Sequence, residues 1–156
     1  MSINKQKNYS SRFMELSLSL AEQAFKENEV PVGAIITKDN KVIGSGFNQV
    51  ISQNSVTAHA EIIAINNAAK VVKNYRLIGC SMYVSLEPCH MCAKAIVDAR
   101  ISKLFFAARE PKTGSIISID NFLDADHLNH KVRYDQGDLE NESAKLLSKF
   151  FKSKRN

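Results

Sequence analysis

Between residues 10 and 28 the apolar positions Phe13, Leu16, Leu20, Ala24 and Phe25 recur at helical spacing. This spacing predicts an amphipathic opening helix, with Ser10 or Ser11 as its N-cap. Pro31 ends that helix. Residues 32–37 then read as a strand that turns at Asp39-Asn40 into a second strand over residues 41–47, a hairpin. A polar loop over residues 48–56 follows, and Thr57 is placed to cap a helix over about residues 58–72, with Ile62, Ile65 and Ala69 facing inward.

Residues 81–85 form a short β-rich run, and Pro88 suits the first turn of a helix running from Cys89 to about Ala99. Residues 103–107 give another apolar strand. The stretch over residues 108–130 is irregular, with Pro111, Gly114 and several Asp residues, and a loop this long is often functional. A strand at residues 131–134 and a helix over about residues 138–152 close the chain. Strands alternating with helices after a hairpin predict an α/β fold, a three-layer α/β/α sandwich with a mixed central sheet. A length of 156 residues fits one domain over residues 1–156.

Apolar residues make up 44% and charged residues 24%, the balance of a soluble globular protein. No apolar run approaches the roughly 18 to 20 residues that cross a bilayer. The polar opening MSINKQKNYSS has no signal-peptide pattern, so the expected location is the cytoplasm. The three cysteines, Cys80, Cys89 and Cys92, are too few and odd in number for a disulfide framework, and are expected to be reduced. A formal charge of +5 favours anionic partners such as nucleic acid, although many basic proteins bind none.

Pro88-Cys89-His90-Met91-Cys92 sets two thiols three residues apart at a helix start, where unpaired N–H groups favour the thiolate a metal needs. Alone, such a pair reads equally as a redox couple or as two core cysteines. His59 at the start of another helix changes the balance, because one His and two Cys suit zinc. Three protein ligands leave a fourth tetrahedral position for a water whose pKa the metal lowers to about 7, whereas a structural zinc site is closed by four. Cys80, His90, His127 and His130 are the candidates for such a fourth ligand. Glu61 is the candidate proton carrier, since no second carboxylate occurs in residues 57–66. Residues two apart on a regular helix point to nearly opposite sides, so His59 has to sit at an irregular first turn.

His59-Ala60-Glu61 together with Pro88-Cys89-x-x-Cys92 resembles the signature of the zinc nucleobase deaminases. Further segments extend the likeness over nearly the whole chain: Val30-Pro31-Val32-Gly33-Ala34, Asn74-Tyr75-Arg76-Leu77-Ile78, the stretch over residues 86–92, Lys112-Thr113-Gly114, and Leu146-Leu147-Ser148-Lys149-Phe150-Phe151. These segments resemble the bacterial tRNA-specific adenosine deaminases. The resemblance implies conversion of adenosine to inosine at the wobble position of a tRNA anticodon, one Zn2+ per chain on His59, Cys89 and Cys92, catalysis by Glu61, and a homodimer. It implies that Asn48 contacts the flipped nucleoside, and that Glu110 and Phe151 lie along the RNA path. Ser55-Val56 stands where that family usually has Asp-Pro, and Glu110 where it usually has Asp.

Lys145, Lys149, Lys152, Lys154 and Arg155 crowd the end of the last helix beside Phe150 and Phe151, a combination suited to phosphate contact and base stacking. Asp138, Glu140 and Glu142 at its start also give the charge order that a helix dipole favours by itself. Two rival readings share the zinc residues. One is a deaminase of a free base or nucleoside such as guanine or cytosine; the other is a non-catalytic zinc-stabilised RNA-binding module, in which Glu61 would be incidental.

Overall fold

The computed structural model of the chain describes residues 3–155. The elements run α1 (Ile3–Lys26), β1 (Gly33–Lys38), β2 (Lys41–Phe47), α2 (Ala60–Val72), β3 (Ser81–Leu86), α3 (His90–Asp98), β4 (Lys103–Ala108), a short 3-10 turn (Phe122–Asp124), β5 (Arg133–Gln136) and α4 (Glu140–Lys154). The five strands form one sheet in the order β2-β1-β3-β4-β5. β1 pairs antiparallel with β2 and β3, while β3–β4 and β4–β5 are parallel. The mixed sheet expected from the alternation of elements is present.

Alternation along each inner strand separates the layers. Ala34 and Ile36 of β1, Met82 and Val84 of β3, and Leu104 and Phe106 of β4 join the core packed under α2 and α3. Their neighbours Ile35, Tyr83 and Ala107 point the other way and meet Phe13 and Met14 of α1. α4 packs on that same side against α1, β3 and β4. Two helical layers therefore sandwich the sheet.

Several boundaries differ from the sequence reading. No Pro or Gly interrupts residues 3–10, so α1 starts at Ile3 and takes Ser10 and Ser11 into its interior, where Ser11 Oγ donates to the Asp138 carboxylate instead of capping. α2 starts at Ala60, and the Thr57 hydroxyl bonds Ser55 Oγ at 3.1 Å. Its buried face is Ala60, Glu61, Ala64, Ile65 and Ala68, with Ile62 and Ala69 only half-buried. The reason is close approach to β2: a Cβ on Gly44 would stand 2.6 Å from Ala64 O, and one on Gly46 2.7 Å from Ala60 O. Only small side chains fit between that helix and that strand. β5 lies two residues later than expected, because parallel pairing sets Arg133 opposite Lys103, the first residue of β4.

β3 and β4 end on the same side of the sheet, and the chain leaves β3 directly into the N-terminus of α3. In open α/β sheets the crevice beyond the carboxyl ends of the strands is where ligands bind. The functional side chains gather there.

Candidate metal and catalytic site

His59 is the N-cap of α2, with φ −75° and ψ 152°. Its backbone is extended while Glu61 is already helical, so the two side chains escape the divergence that a regular helix would impose. Cys89 plays the same part for α3, with φ −76° and ψ 176°. Cys92 follows in the first turn and is fully buried.

His59 Nδ1 lies 3.5 Å from Cys92 Sγ and 3.7 Å from Cys89 Sγ. The three ligand atoms all fall within 4.8 Å of one another. Zinc–ligand bonds of about 2.0–2.3 Å in a tetrahedron separate the ligand atoms by about 3.3–3.8 Å. The geometry thus fits one zinc held through Nδ1 and two sulfurs.

Among the described residues no fourth Cys or His joins this group. His90 Nε2 faces the Asp120 carboxylate at 3.0 Å, His130 Nε2 bonds Ile101 O at 2.7 Å, and the His127 ring packs edge-on against Phe122. Cys80 is buried, with its thiol turned toward Ile78 O. The arrangement is that of an open three-ligand site.

Hydrogen bonding from Cys92 brings the Cys89 thiol down to about 4, with the His59 contact acting in the same sense. Cys92 is pushed up, first by that same bond to Cys89 and then by burial. The Cys89 contact raises His59 despite burial. Burial raises the Glu61 carboxyl above the ordinary carboxylate range. A carboxyl so placed is suited to both taking up and giving back protons.

The site opens into a cavity of about 190 Å³. Val30, Val32 and Leu86 supply its apolar lining, and Asn48, Glu87, Glu110 and Thr113 join His59, Glu61 and Cys89 in supplying polar groups. Asn48 is buried, and its Oδ1 accepts the Ala60 N–H at 3.2 Å. The Glu110 carboxylate accepts the Lys112 N–H at 3.0 Å, closing a local turn. Phe151 is not among the lining residues: it stands 45% exposed on α4, its ring edge-on to Phe150.

Two buried carboxylates were not singled out from the sequence. Glu29 accepts the Ile51 and Ser52 N–H groups at 2.9 and 2.8 Å, fixing the loop ahead of His59. Glu87, two residues before Cys89, takes hydrogen bonds from the segment spanning residues 110–118. The one available signal was an acid one or two residues ahead of a proline, as in Glu87-Pro88 and Glu29-Val30-Pro31.

Residues 7–108 match the family described as the cytidine and deoxycytidylate deaminase zinc-binding region. The chain belongs to that family. His59, Glu61, Cys89 and Cys92 all lie inside the matched segment, and zinc is the cofactor of this deaminase fold. A tRNA-specific adenosine deaminase of Aquifex aeolicus is 44% identical over 92% of this chain and 95% of its own length. The tRNA-specific adenosine deaminase of Haemophilus influenzae is also 44% identical, over 94% of this chain and 86% of its own. A solved structure from a study of A-to-I editing by tRNA:A34 deaminases at the wobble position of transfer RNA superposes with a TM-score of 0.85. It is 42% identical, with 88% of this chain and 99% of that one covered. The family resemblance carried by the His-x-Glu and Pro-Cys-x-x-Cys motifs is borne out.

Proposed function

We propose that this protein hydrolytically deaminates adenosine to inosine at the wobble position of a tRNA anticodon, acting as a cytoplasmic homodimer. The observation that carries the reading is the buried Glu61 carboxyl beside the His59, Cys89 and Cys92 triangle, at a cavity of about 190 Å³. That volume lies below the roughly 300–1,000 Å³ of pockets for drug-sized ligands, and suits a single flipped base whose sugar and flanking nucleotides stay outside.

His59 Nδ1 and the two sulfurs would hold the zinc. When bound, the metal makes water a nucleophile at neutral pH by lowering its pKa to about 7. Glu61 accepts a proton from the attacking water and passes it to adenine N1 as the new C6–O bond forms. It then takes the remaining hydroxyl proton and delivers it to the exocyclic nitrogen, so that the C6–N bond breaks and ammonia leaves. One water is consumed for each inosine formed. Val30, Val32 and Leu86 exclude bulk water from the ring. Asn48, with Oδ1 engaged by Ala60 N, has its Nδ2 donor available to the nucleoside.

RNA binding is read from α4. Lys145, Lys149 and Lys152 line one shallow surface depression, a spacing suited to successive phosphates. Phe151, exposed on the same helix, would stack on a base of the bound RNA. Among the described residues no helix is long and apolar enough to cross a membrane.

Sequencing cellular tRNA with and without the protein tests the assignment. Wobble inosine, read as guanosine after reverse transcription, should disappear with the protein and return with its re-expression. Persistence of inosine after its removal would count against the reading.

A further inference from the structure

Glu87 is 2% exposed, yet among the described residues it forms no ion pair. Its charge is met by five donors from one distant segment. Oε1 accepts the Glu110 N–H at 3.1 Å and the Ser118 hydroxyl. Oε2 accepts the N–H groups of Ile116, Ile117 and Ser118 at 3.1, 2.9 and 2.9 Å. Successive backbone N–H groups turned on one anion form a nest that replaces its hydration.

The place of this carboxylate in the chain matters as much as its bonds. Pro88 alone separates Glu87 from Cys89, and Pro88 O accepts the Ser115 N–H at 2.9 Å. One end of the strand-to-helix connection therefore carries a candidate zinc ligand, and its other end, Glu87, borders the cavity and grips the segment that brings Glu110 and Thr113 to it. The segment is seated without slack: a Cβ at Gly114 would lie 2.5 Å from Glu87 Cδ and 2.5 Å from Glu110 O.

We infer that Glu87 is a positioning residue for substrate: its five-donor grip on residues 110–118 sets the distance between the zinc ligands and the cavity wall formed by Glu110 and Thr113. The inference rests on the deaminase reading above. It assigns to a buried carboxylate outside the proton-transfer chemistry the task of fixing how the base and its flanking nucleotides are received. Replacing Glu87 by Gln leaves one acceptor oxygen and turns an amide NH2 toward N–H donors, so the wall loosens while the metal ligands keep their places.

The test uses zinc-loaded Glu87→Gln and a milder variant, Ser118→Ala, which removes one donor. Zinc content, amide hydrogen exchange, and kcat and KM on an anticodon stem-loop RNA are measured. For Glu87→Gln, zinc should stay at one per chain, and exchange at Glu110, Ile116, Ile117 and Ser118 should quicken by about tenfold or more, with α2 and α3 unchanged. KM should rise about tenfold or more with kcat within about threefold. Ser118→Ala should shift exchange and KM the same way by a smaller factor. If Glu87→Gln does not fold, Ser118→Ala decides alone. Unchanged exchange and KM would overturn the inference, and so would loss of zinc with a collapse of kcat, which would assign Glu87 to the metal centre. Should the unaltered protein leave the stem-loop intact, the tRNA reading fails by itself; the exchange and KM comparison then proceeds on whichever base or nucleoside it deaminates.

Discussion

Asn48 closes the first turn of α2 from outside the helix, its Oδ1 accepting the Ala60 N–H at 3.2 Å while its side chain lines the cavity. One amide thus serves the helix with its oxygen and leaves its nitrogen for the nucleoside. Asn48→Asp keeps the cap acceptor but removes the donor and adds a further carboxylate to a cavity already lined by Glu61, Glu87 and Glu110. It should fold with near-normal stability yet show KM raised by about tenfold or more. Asn48→Ala loses both roles, and should also lose about 1 kcal/mol of stability, the usual worth of a cap acceptor. Thermal unfolding and steady-state kinetics on the two variants separate the roles; equal stability loss in both would remove the capping assignment.

Zinc binding should release protons. The Cys89 thiol lies at about 4, whereas Cys92 is raised and is the thiol that holds its proton to higher pH. Coordination by two thiolates has to expel that Cys92 proton, so apparent affinity rises with pH by about tenfold per unit for each proton released. Calorimetry in two buffers of different ionisation enthalpy should give different apparent enthalpies at pH 7. Identical enthalpies would contradict this. A Cys89→Ala, Cys92→Ala double variant should hold no stoichiometric zinc, and persistence of the metal there would remove the ligand assignment.

How much of this was legible in the chain differs from residue to residue. Local spacing placed the hairpin turn at Asp39-Asn40 and the strands β3 and β4, because alternation and turn chemistry act over a few residues. The zinc triangle was also legible, since each ligand sits at a helix start marked in the sequence. The need for His59 to leave helical geometry so that it can share a site with Glu61 was legible too, and the extended backbone at His59 meets it. Thr57 was a reasonable cap, but the acceptor for Ala60 N came from Asn48, which the loop brings back. Glu29 and Glu87 stayed hidden for the same reason: their partners lie 22 to 31 residues away along the chain.

Glu61 should separate metal binding from chemistry. Glu61→Gln removes the proton carrier while leaving His59, Cys89 and Cys92 in place, so the variant should keep one zinc per chain and lose deamination by about a hundredfold to ten-thousandfold. A binding module stabilised by zinc would lose nothing measurable. Zinc content and ammonia release, determined on the same preparation, decide between them.

The most direct measurement compares substrates at equal concentration in an assay for ammonia. These are an anticodon stem-loop RNA with adenosine at the wobble position, free adenosine, free cytidine and free guanine. An unpaired loop base can be splayed into the cavity at small unstacking cost, and its flanking nucleotides bring binding energy that a free base lacks. Turnover of the stem-loop should exceed the other three by orders of magnitude and fall with added salt. Replacing Lys149, Lys152, Lys154 and Arg155 together by Ala should weaken that turnover without changing zinc content. Faster release of ammonia from guanine or cytidine than from the stem-loop would contradict the account.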